Sequence, residues 1–364
     1  MQMPTHKVQI RMSTNTGDTA GIKKRYAVIF LLIVGLVLSF LYAAGLFGGH
    51  GTTAQKFVNL QENNKPQFSF RRAHAKGVCL AGEFVSSGLL APYSTSGFFQ
   101  EGAQPFIGRF SIAGGNPLAP DLAAPVRSLA LSFSSDSGQR WRTAMNTPPV
   151  MAVRTPEDFY QQIQVLTPDP ATGKPDGEKI KAFFAAHPET AAFNQWKQGY
   201  TPTTSFATEQ YHSINAFYLI DVKGQRQAVR WAAVPQANVQ LLTGDISGSD
   251  RDALQLELAQ RLAENPVRFD LMVTLANDDD DENNATIAWP AERKTIKAGT
   301  VVINAVQPQQ GGACDGINFD PLVLPEGMQA TADPILNARG SAYAESYRRR
   351  AREILLEQKA GAQQ

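Results

Sequence analysis

From Tyr26 to Phe47 the chain reads YAVIFLLIVGLVLSFLYAAGLF, 22 residues without a charge, and no other feature limits its organisation so sharply. As a helix such a run spans a hydrocarbon core of roughly 30 Å. Lys23, Lys24 and Arg25 abut it on one side, whereas Gly48, Gly49, His50 and Gly51 follow on the other. The positive-inside bias then puts the amino terminus in the cytoplasm and everything after the run outside it. A cleaved signal peptide is the rival reading, since Ala43 and Ala44 offer small residues. The length of the apolar run and the 25 polar-rich residues before it favour an uncleaved signal anchor. The expected organisation is a cytoplasmic tail over 1–25, a transmembrane anchor over 26–47, a polar linker over 48–67 and one domain over 68–364. That domain would stand at the inner or plasma membrane, on its periplasmic or extracytoplasmic side.

The remainder is long enough to bury a substantial core. Net charge is +1 and charged residues make up 18% of the 364, so the balance gives no surface for nucleic acid, and the expected non-substrate partner is the lipid bilayer. Whether copies of the chain associate is left open. The two cysteines, Cys79 and Cys314, would be free to pair in an oxidising compartment. With 234 residues between them the sequence does not bring them together, and two buried thiols are the favoured reading. Neither has histidine or a second cysteine at zinc-site spacing.

After the polar, Asn- and Gln-rich stretch Thr52 to Gln67, short segments of β-branched and aromatic residues recur between turn signals: Val78–Phe84, Phe106–Ile112, Val126–Phe133, Trp141–Met145 and Met151–Val153. Helical patterns follow from Pro156, over Gly177 to Ala186 and around Trp196. Ala216–Val222 with Ala228–Val234, turning at Lys223-Gly224, and Phe269–Leu275 with Thr300–Val306 are predicted hairpins. Helices are predicted over Asp250–Glu264 and Ile335–Gln358. Strand number and spacing favour an α+β arrangement, a closed antiparallel barrel with helices outside it. The acidic run NDDDDENN over Asn277–Asn284 lacks the glycine and distal glutamate of a calcium loop and is expected to be a solvated loop.

Four separated segments carry the chemistry. Arg339, Tyr343 and Arg350 in DPILNARGSAYAESYRRR are spaced for one helix face. Arg71-Arg72-Ala73-His74-Ala75-Lys76-Gly77, Arg109-Phe110-Ser111 and Asn146-Thr147-Pro148 precede them. Taken singly, each has an ordinary reading: a satisfied polar histidine, a turn asparagine, a half-buried packing tyrosine, a solvated basic face. In this order and with these intervals they resemble the catalase superfamily, and in particular its small catalase-related peroxidases, over about Phe68 to Arg350.

The resemblance implies a haem-binding barrel holding haem b. Tyr343 would be the iron ligand, an anionic phenolate whose charge Arg339 offsets. Arg71, Arg109 and Arg350 would bind the haem carboxylates. His74 would move a proton between peroxide oxygens, Asn146 would orient the peroxide, and Ser111 would hold the imidazole. Phe159 would pack against the distal haem surface. Where large catalases carry an Asp-Thr-His-Arg run after the tyrosine, this chain has Ala344-Glu345-Ser346-Tyr347-Arg348. It also ends fourteen residues after Arg350, without the long arm and extra helices of those proteins. A more reachable haem edge is therefore expected, with hydrogen peroxide or an organic hydroperoxide reduced at the expense of a small organic reductant. A membrane-tethered haem carrier without turnover, and an envelope domain without cofactor, are the competing functions.

Overall fold

The computed structural model describes residues 19–43, 52–62, 67–169 and 171–361. The chain divides into a unit over Met1–Gly51 and a unit over Thr52–Gln364. In the first, helix α1 covers Thr19–Ala43, and Lys23–Leu41 within it is long and apolar enough to cross a bilayer, with none of it buried. Residues 44–47 of the expected span and 1–18 of the expected tail lie outside the described residues. One apolar helix near the amino terminus is what a signal sequence and a single membrane anchor share.

The second unit begins with a correction. Within the stretch expected to be a linker, residues 48–51 and 63–66 lie outside the described residues, and Ala54–Glu62 forms helix α2. Its Val58 is fully buried, its Phe57 ring lies 5.5 Å from that of Phe159, and its Glu62 pairs with Arg72 and with Arg349 at 2.9 Å. Arg72 is itself buried and joins Glu62 to Glu353. A polar composition masked two apolar residues and one acid that dock the helix, a pattern too short to register as a period.

Strands β1 (Gly77–Ser86), β2 (Gly102–Ile112), β3 (Arg127–Ser134), β4 (Arg140–Asn146), β5 (Tyr211–His212), β6 (Phe217–Ile220), β7 (Arg226–Pro235), β8 (Val267–Leu275), β9 (Thr295–Pro308) and β10 (Met328–Ala330) make one antiparallel sheet. Its order is β10-β6-β7-β5-β4-β3-β2-β1-β9-β8, and β7 pairs with β8. That last pairing closes eight of the strands into a barrel, and β6 and β10 extend it as a flap. Closure leaves no open edge in the barrel. Both expected hairpins are present as the β6–β7 and β8–β9 pairs. Met151–Val153 is not a strand; Met151 N–H donates to Ala285 O at 2.8 Å in an irregular crossing.

Helices α3 (Pro156–Leu166), α4 (Gly177–Ala186), α5 (Ala191–Gly199), α6 (Ala253–Glu264) and α7 (Pro334–Gly361) surround the barrel. Thr155 starts α3 by accepting from Asp158 N–H at 3.2 Å and donating to the Asp158 carboxylate at 2.6 Å, with Pro156 at the first helical position. The barrel interior is aromatic. Phe133 stacks on Trp141 at 4.7 Å, with Phe84, Phe98, Phe99 and Trp231 around the pair. So filled, the barrel is a core and not a channel, and chemistry is left to its outer face.

Two further expectations are revised. Cys79 and Cys314 form a disulfide, with Cα atoms 5.2 Å apart. β1 and the segment after β9 lie side by side although far apart in sequence, a proximity that only the strand pairing creates. The acidic run is also less solvated than expected. Asp280 pairs with Arg293 at 2.8 Å, and Glu282 accepts from the Tyr218 hydroxyl at 2.8 Å.

Candidate active site

Register assembles the site. Gly77, Ser111, Ser128 and Asn146 stand side by side on β1 to β4, and His212 of β5 stands next to Asn146. Their neighbours Val78, Phe110, Leu129 and Met145 belong to the barrel core, so the alternation of side chains puts this row on the outer face. Cys79, Arg109, Ala130 and Ala144 form the next row on that face. Helix α7 lies over it: Tyr343, like Ile107, Ala130 and Ile317, packs against the buried cluster of Cys79, Cys314 and Phe319, and Arg339 Nη2 donates to Ala144 O at 3.2 Å.

His74 precedes β1 with φ +55°, a left-handed conformation that costs a non-glycine residue about 1 kcal/mol. It is held there from both sides. Arg109 Nη2 donates to His74 O at 2.6 Å, and Ala75 N–H donates to Gly114 O at 2.8 Å. Gly77 must be glycine, because a Cβ there would stand 2.2 Å from Phe110 O and 2.8 Å from Arg109 Nη2. Lys76 is a structural anchor, buried between Asp121 at 2.9 Å and Asp252 at 2.7 Å. Each residue of His74-Ala75-Lys76-Gly77 thus works to fix where one imidazole points.

That imidazole meets the hydroxyl of Ser128 and not that of Ser111. Ser128 Oγ lies 3.2 Å from His74 Nδ1 and donates to Asn146 Oδ1 at 2.5 Å. Ser111 is buried one strand away, directly opposite Ser128. A hydroxyl has one proton. Once it is given to Asn146, Ser128 can only accept from His74, so Nδ1 carries the ring proton and Nε2 keeps its lone pair. The same bond occupies the oxygen of Asn146 and leaves its amide N–H groups as donors. Burial, with Arg109 and then Arg339 nearby, pushes the His74 pKa down to about 4. The ring is therefore neutral through the neutral range, with the Nε2 lone pair free to accept a proton.

Across the face, α7 begins at Asp333, whose carboxylate accepts from Ile335 N–H at 2.8 Å and from Asn215 Nδ2 at 2.7 Å. Asn215 Oδ1 in turn accepts from Arg339 Nη1 at 2.8 Å. With its guanidinium so fixed, Arg339 lies over the Tyr343 ring at 5.7 Å and points Nη2 at the phenol oxygen, 3.4 Å away. Arg339 and Tyr343 are thus together, one helical turn apart.

Arg71, Arg109 and Arg350 form a third group. Arg350 Nη1 donates to Asp315 Oδ1 at 2.9 Å, and Arg71 Nη2 donates to the carbonyls of Cys314 at 2.9 Å and Ile317 at 3.0 Å. Arg109 Nε donates to Gln309 Oε1 at 2.7 Å. Each is depressed below the ordinary guanidinium range, Arg71 to about 9, first by burial and then, for Arg71, by Arg350, and for Arg109, by Arg71 and Arg350. Asp315 and Tyr343 act in the opposite sense on Arg71 and Arg109. Asp315 is the carboxylate beside them, 2.9 Å from Arg350 and 4.0 Å from Arg71 Nη1, and among the described residues Arg71 Nη1 is buried without a hydrogen-bond partner. The cluster thus has more positive charge than its one neighbouring carboxylate offsets, an arrangement suited to an anion.

Phe159 sits on α3, half-buried, with its ring turned to Phe57 of α2. Ser128, Gln309, Asp315 and Asn215 were not singled out by the sequence. A serine in a strand, or a Gln and an Asp in a glycine-rich loop, gives no local signal; only the register of β2 on β3 could have pointed to Ser128.

A closed antiparallel barrel with a tyrosine–arginine pair, a neutral imidazole and a cationic cluster on its outer face defines a class, and the comparisons place the chain within it. The catalase family model matches residues 53–355. The chain belongs to the catalase family. It is 39% identical over 326 residues to the catalase-related peroxidase of Synechococcus elongatus, covering 89% of this chain and 96% of that one. It is 29% identical over 282 residues to the catalase-related peroxidase of Mycolicibacterium paratuberculosis, covering 77% and 88%. Among solved structures it is similar to a bacterial catalase (TM-score 0.70, 22% identity) and to catalase A from Saccharomyces cerevisiae (TM-score 0.71, 20% identity). Each alignment covers 84% of this chain, but only 62% and 66% of those longer proteins. Catalase family members generally bind haem.

The two serines are separable by experiment. In Ser128→Ala the Nδ1–H tautomer of His74 loses an advantage of about 1 kcal/mol, roughly five-fold in population, read from NMR of the ring nitrogens. Ser111→Ala leaves the tautomer unchanged.

Proposed function

We propose that this chain is a haem-dependent peroxidase that reduces hydrogen peroxide or an organic hydroperoxide while oxidising a small organic donor, with minor catalase activity. The observation that carries this reading is the incompletely compensated cationic cluster of Arg71, Arg109 and Arg350 beside the Tyr343–Arg339 pair, with neutral His74 in the same site. The donor set fits haem b. Its two carboxylates match the two positive charges that Asp315 leaves unbalanced among three guanidiniums, and Arg71 Nη1 has a donor to offer. Tyr343 would ligate the iron as phenolate, with the guanidinium of Arg339 offsetting its charge. The iron of a bound haem supplies the place where peroxide binds and the redox chemistry that splits its O–O bond.

The chain's own groups do the rest. His74 Nε2 takes the proton from the inner peroxide oxygen and returns it to the outer one, which leaves as water or alcohol. Asn146 Nδ2 donates to that outer oxygen as charge develops on it and, being an amide, does not titrate. Ser128 keeps both aligned. Two electrons from the organic donor and two protons complete the reduction. Phe159 would pack against the distal face of the porphyrin. The apolar helix over Lys23–Leu41 would hold the protein at the inner or plasma membrane with the catalytic domain extracytoplasmic, a compartment in which the Cys79–Cys314 disulfide persists. A carrier without turnover has no use for a neutral imidazole aligned with a carboxamide.

Two measurements test this. Haem-loaded protein supplied with peroxide oxidises a phenolic or diamine dye faster than it evolves oxygen; oxygen evolution without dye oxidation reverses the assignment to a catalase. The rate of the peroxide step is flat across neutral pH and falls as pH drops through about 4, where His74 becomes protonated and can no longer accept. A fall through the ordinary imidazole value of 6.5 would remove His74, as placed here, from the proton transfer.

A further inference from the structure

One segment touches all three arginines. Gln309 follows β9, and its side chain works in two directions: Oε1 accepts from Arg109 Nε at 2.7 Å and from Nη2, while Nε2 donates to Ala75 O at 3.0 Å. Six residues on, Asp315 accepts from Arg350 through both its carboxylate and its carbonyl. The carbonyls of Cys314, Asp315 and Ile317 form a crescent around Arg71 Nη2, and the Arg71 guanidinium stands 5.9 Å from the centre of the Phe319 ring. Ile317 and Tyr343 both pack against the cluster that Phe319 forms with Cys79 and Cys314. The segment has no strand or helix of its own between β9 and β10. Hydrogen bonds tie it to the barrel through Arg109 and through Arg142 Nη1, which donates to Asn318 O at 2.6 Å, and its covalent fastening is the Cys79–Cys314 disulfide, with Cys314 N–H donating to Cys79 Sγ at 3.1 Å. Cys79 is the cross-strand neighbour of Arg109.

We propose that the segment Gln309–Phe319 is the element that positions the three carboxylate-binding arginines, and that the Cys79–Cys314 bond locks it, so that cofactor retention depends on the redox state of that bond. Gln309 and Asp315 are then positioning residues, acting through Arg109 and through Arg350 and Arg71. The inference rests on the haem reading above. Fixed guanidiniums present their remaining N–H groups in one geometry; on a freed segment they lose their carbonyl partners and must be reordered each time the carboxylates bind, which appears as faster haem loss. Opening the bond takes two electrons and two protons and yields two thiols. A phosphine supplies the electrons and leaves as its oxide with an oxygen atom from water.

The test is a double-mutant cycle on full-length, haem-loaded protein, reading haem transfer to excess apomyoglobin, with circular dichroism confirming the barrel. Arg71→Ala in the disulfide-intact protein is expected to speed haem loss, and Cys79→Ser with Cys314→Ser to speed it by about ten-fold. Combined, they give less than the product of the two, a coupling of several-fold in rate. Arg339→Lys, which touches no carbonyl of the segment, multiplies independently with the cysteine pair. Phosphine reduction of the folded wild type reproduces the faster loss, which covers the case in which the cysteine variant does not fold. Unchanged haem loss on reduction, or full multiplicativity of Arg71→Ala with the cysteine pair, overturns the inference while leaving the peroxidase reading in place. Wild type that takes up no haem overturns both.

Discussion

Uncompensated positive charge, buried on the outer wall of a barrel, is the constraint on which the rest of this structure turns. Guanidiniums taken out of water are tolerated where hydrogen bonds and counter-charges replace what water gave them. Arg71, Arg109 and Arg350 have backbone carbonyls, a glutamine oxygen and one carboxylate between them, and among the described residues Arg71 Nη1, 4.0 Å from that carboxylate, has no hydrogen-bond partner. The deficit leaves room for an anionic partner before any cofactor is named. Arg339 repeats the principle at smaller scale, with Asn215 and a carbonyl turning its guanidinium toward the Tyr343 oxygen.

The same cations set the chemistry opposite. His74 is kept neutral by burial first, and then by Arg109 and Arg339, so the groups that would grip a carboxylate and offset a phenolate also keep an imidazole unprotonated. The backbone joins the two functions more tightly still, since Arg109 Nη2 holds the carbonyl of His74 in its left-handed turn. The proposed binding and proton transfer would therefore not be separable modules here, and a change at Arg109 would reach both.

The sequence made the frame legible and hid the fittings. Strands, hairpins and helices with strong periodicity, such as Val78–Phe84 or Ile335–Gln358, appear where apolar spacing put them, because each buries a face against the barrel. Reactive types were visible because His74, Asn146, Tyr343 and their arginines sit in distinctive local strings. What stayed hidden depends on contacts between distant segments. Ser128 replaces Ser111 at the imidazole because strand register, not local sequence, chooses between two serines that face each other. The disulfide is hidden because the pairing of β1 with β9 leaves no trace in the spacing of the cysteines. Helix α2 is hidden because two adjacent apolar residues, Phe57 and Val58, and the ion pairs of Glu62 with Arg72 and Arg349, not a hydrophobic period, hold it down.

The measurement closest to the central claim is resonance Raman spectroscopy of the haem-loaded protein beside Tyr343→Phe. Excitation into a phenolate-to-iron charge-transfer band should enhance tyrosinate ring modes in the wild type, and the substitution should abolish them. Wild-type spectra without those modes, or modes that survive in Tyr343→Phe, would contradict the account.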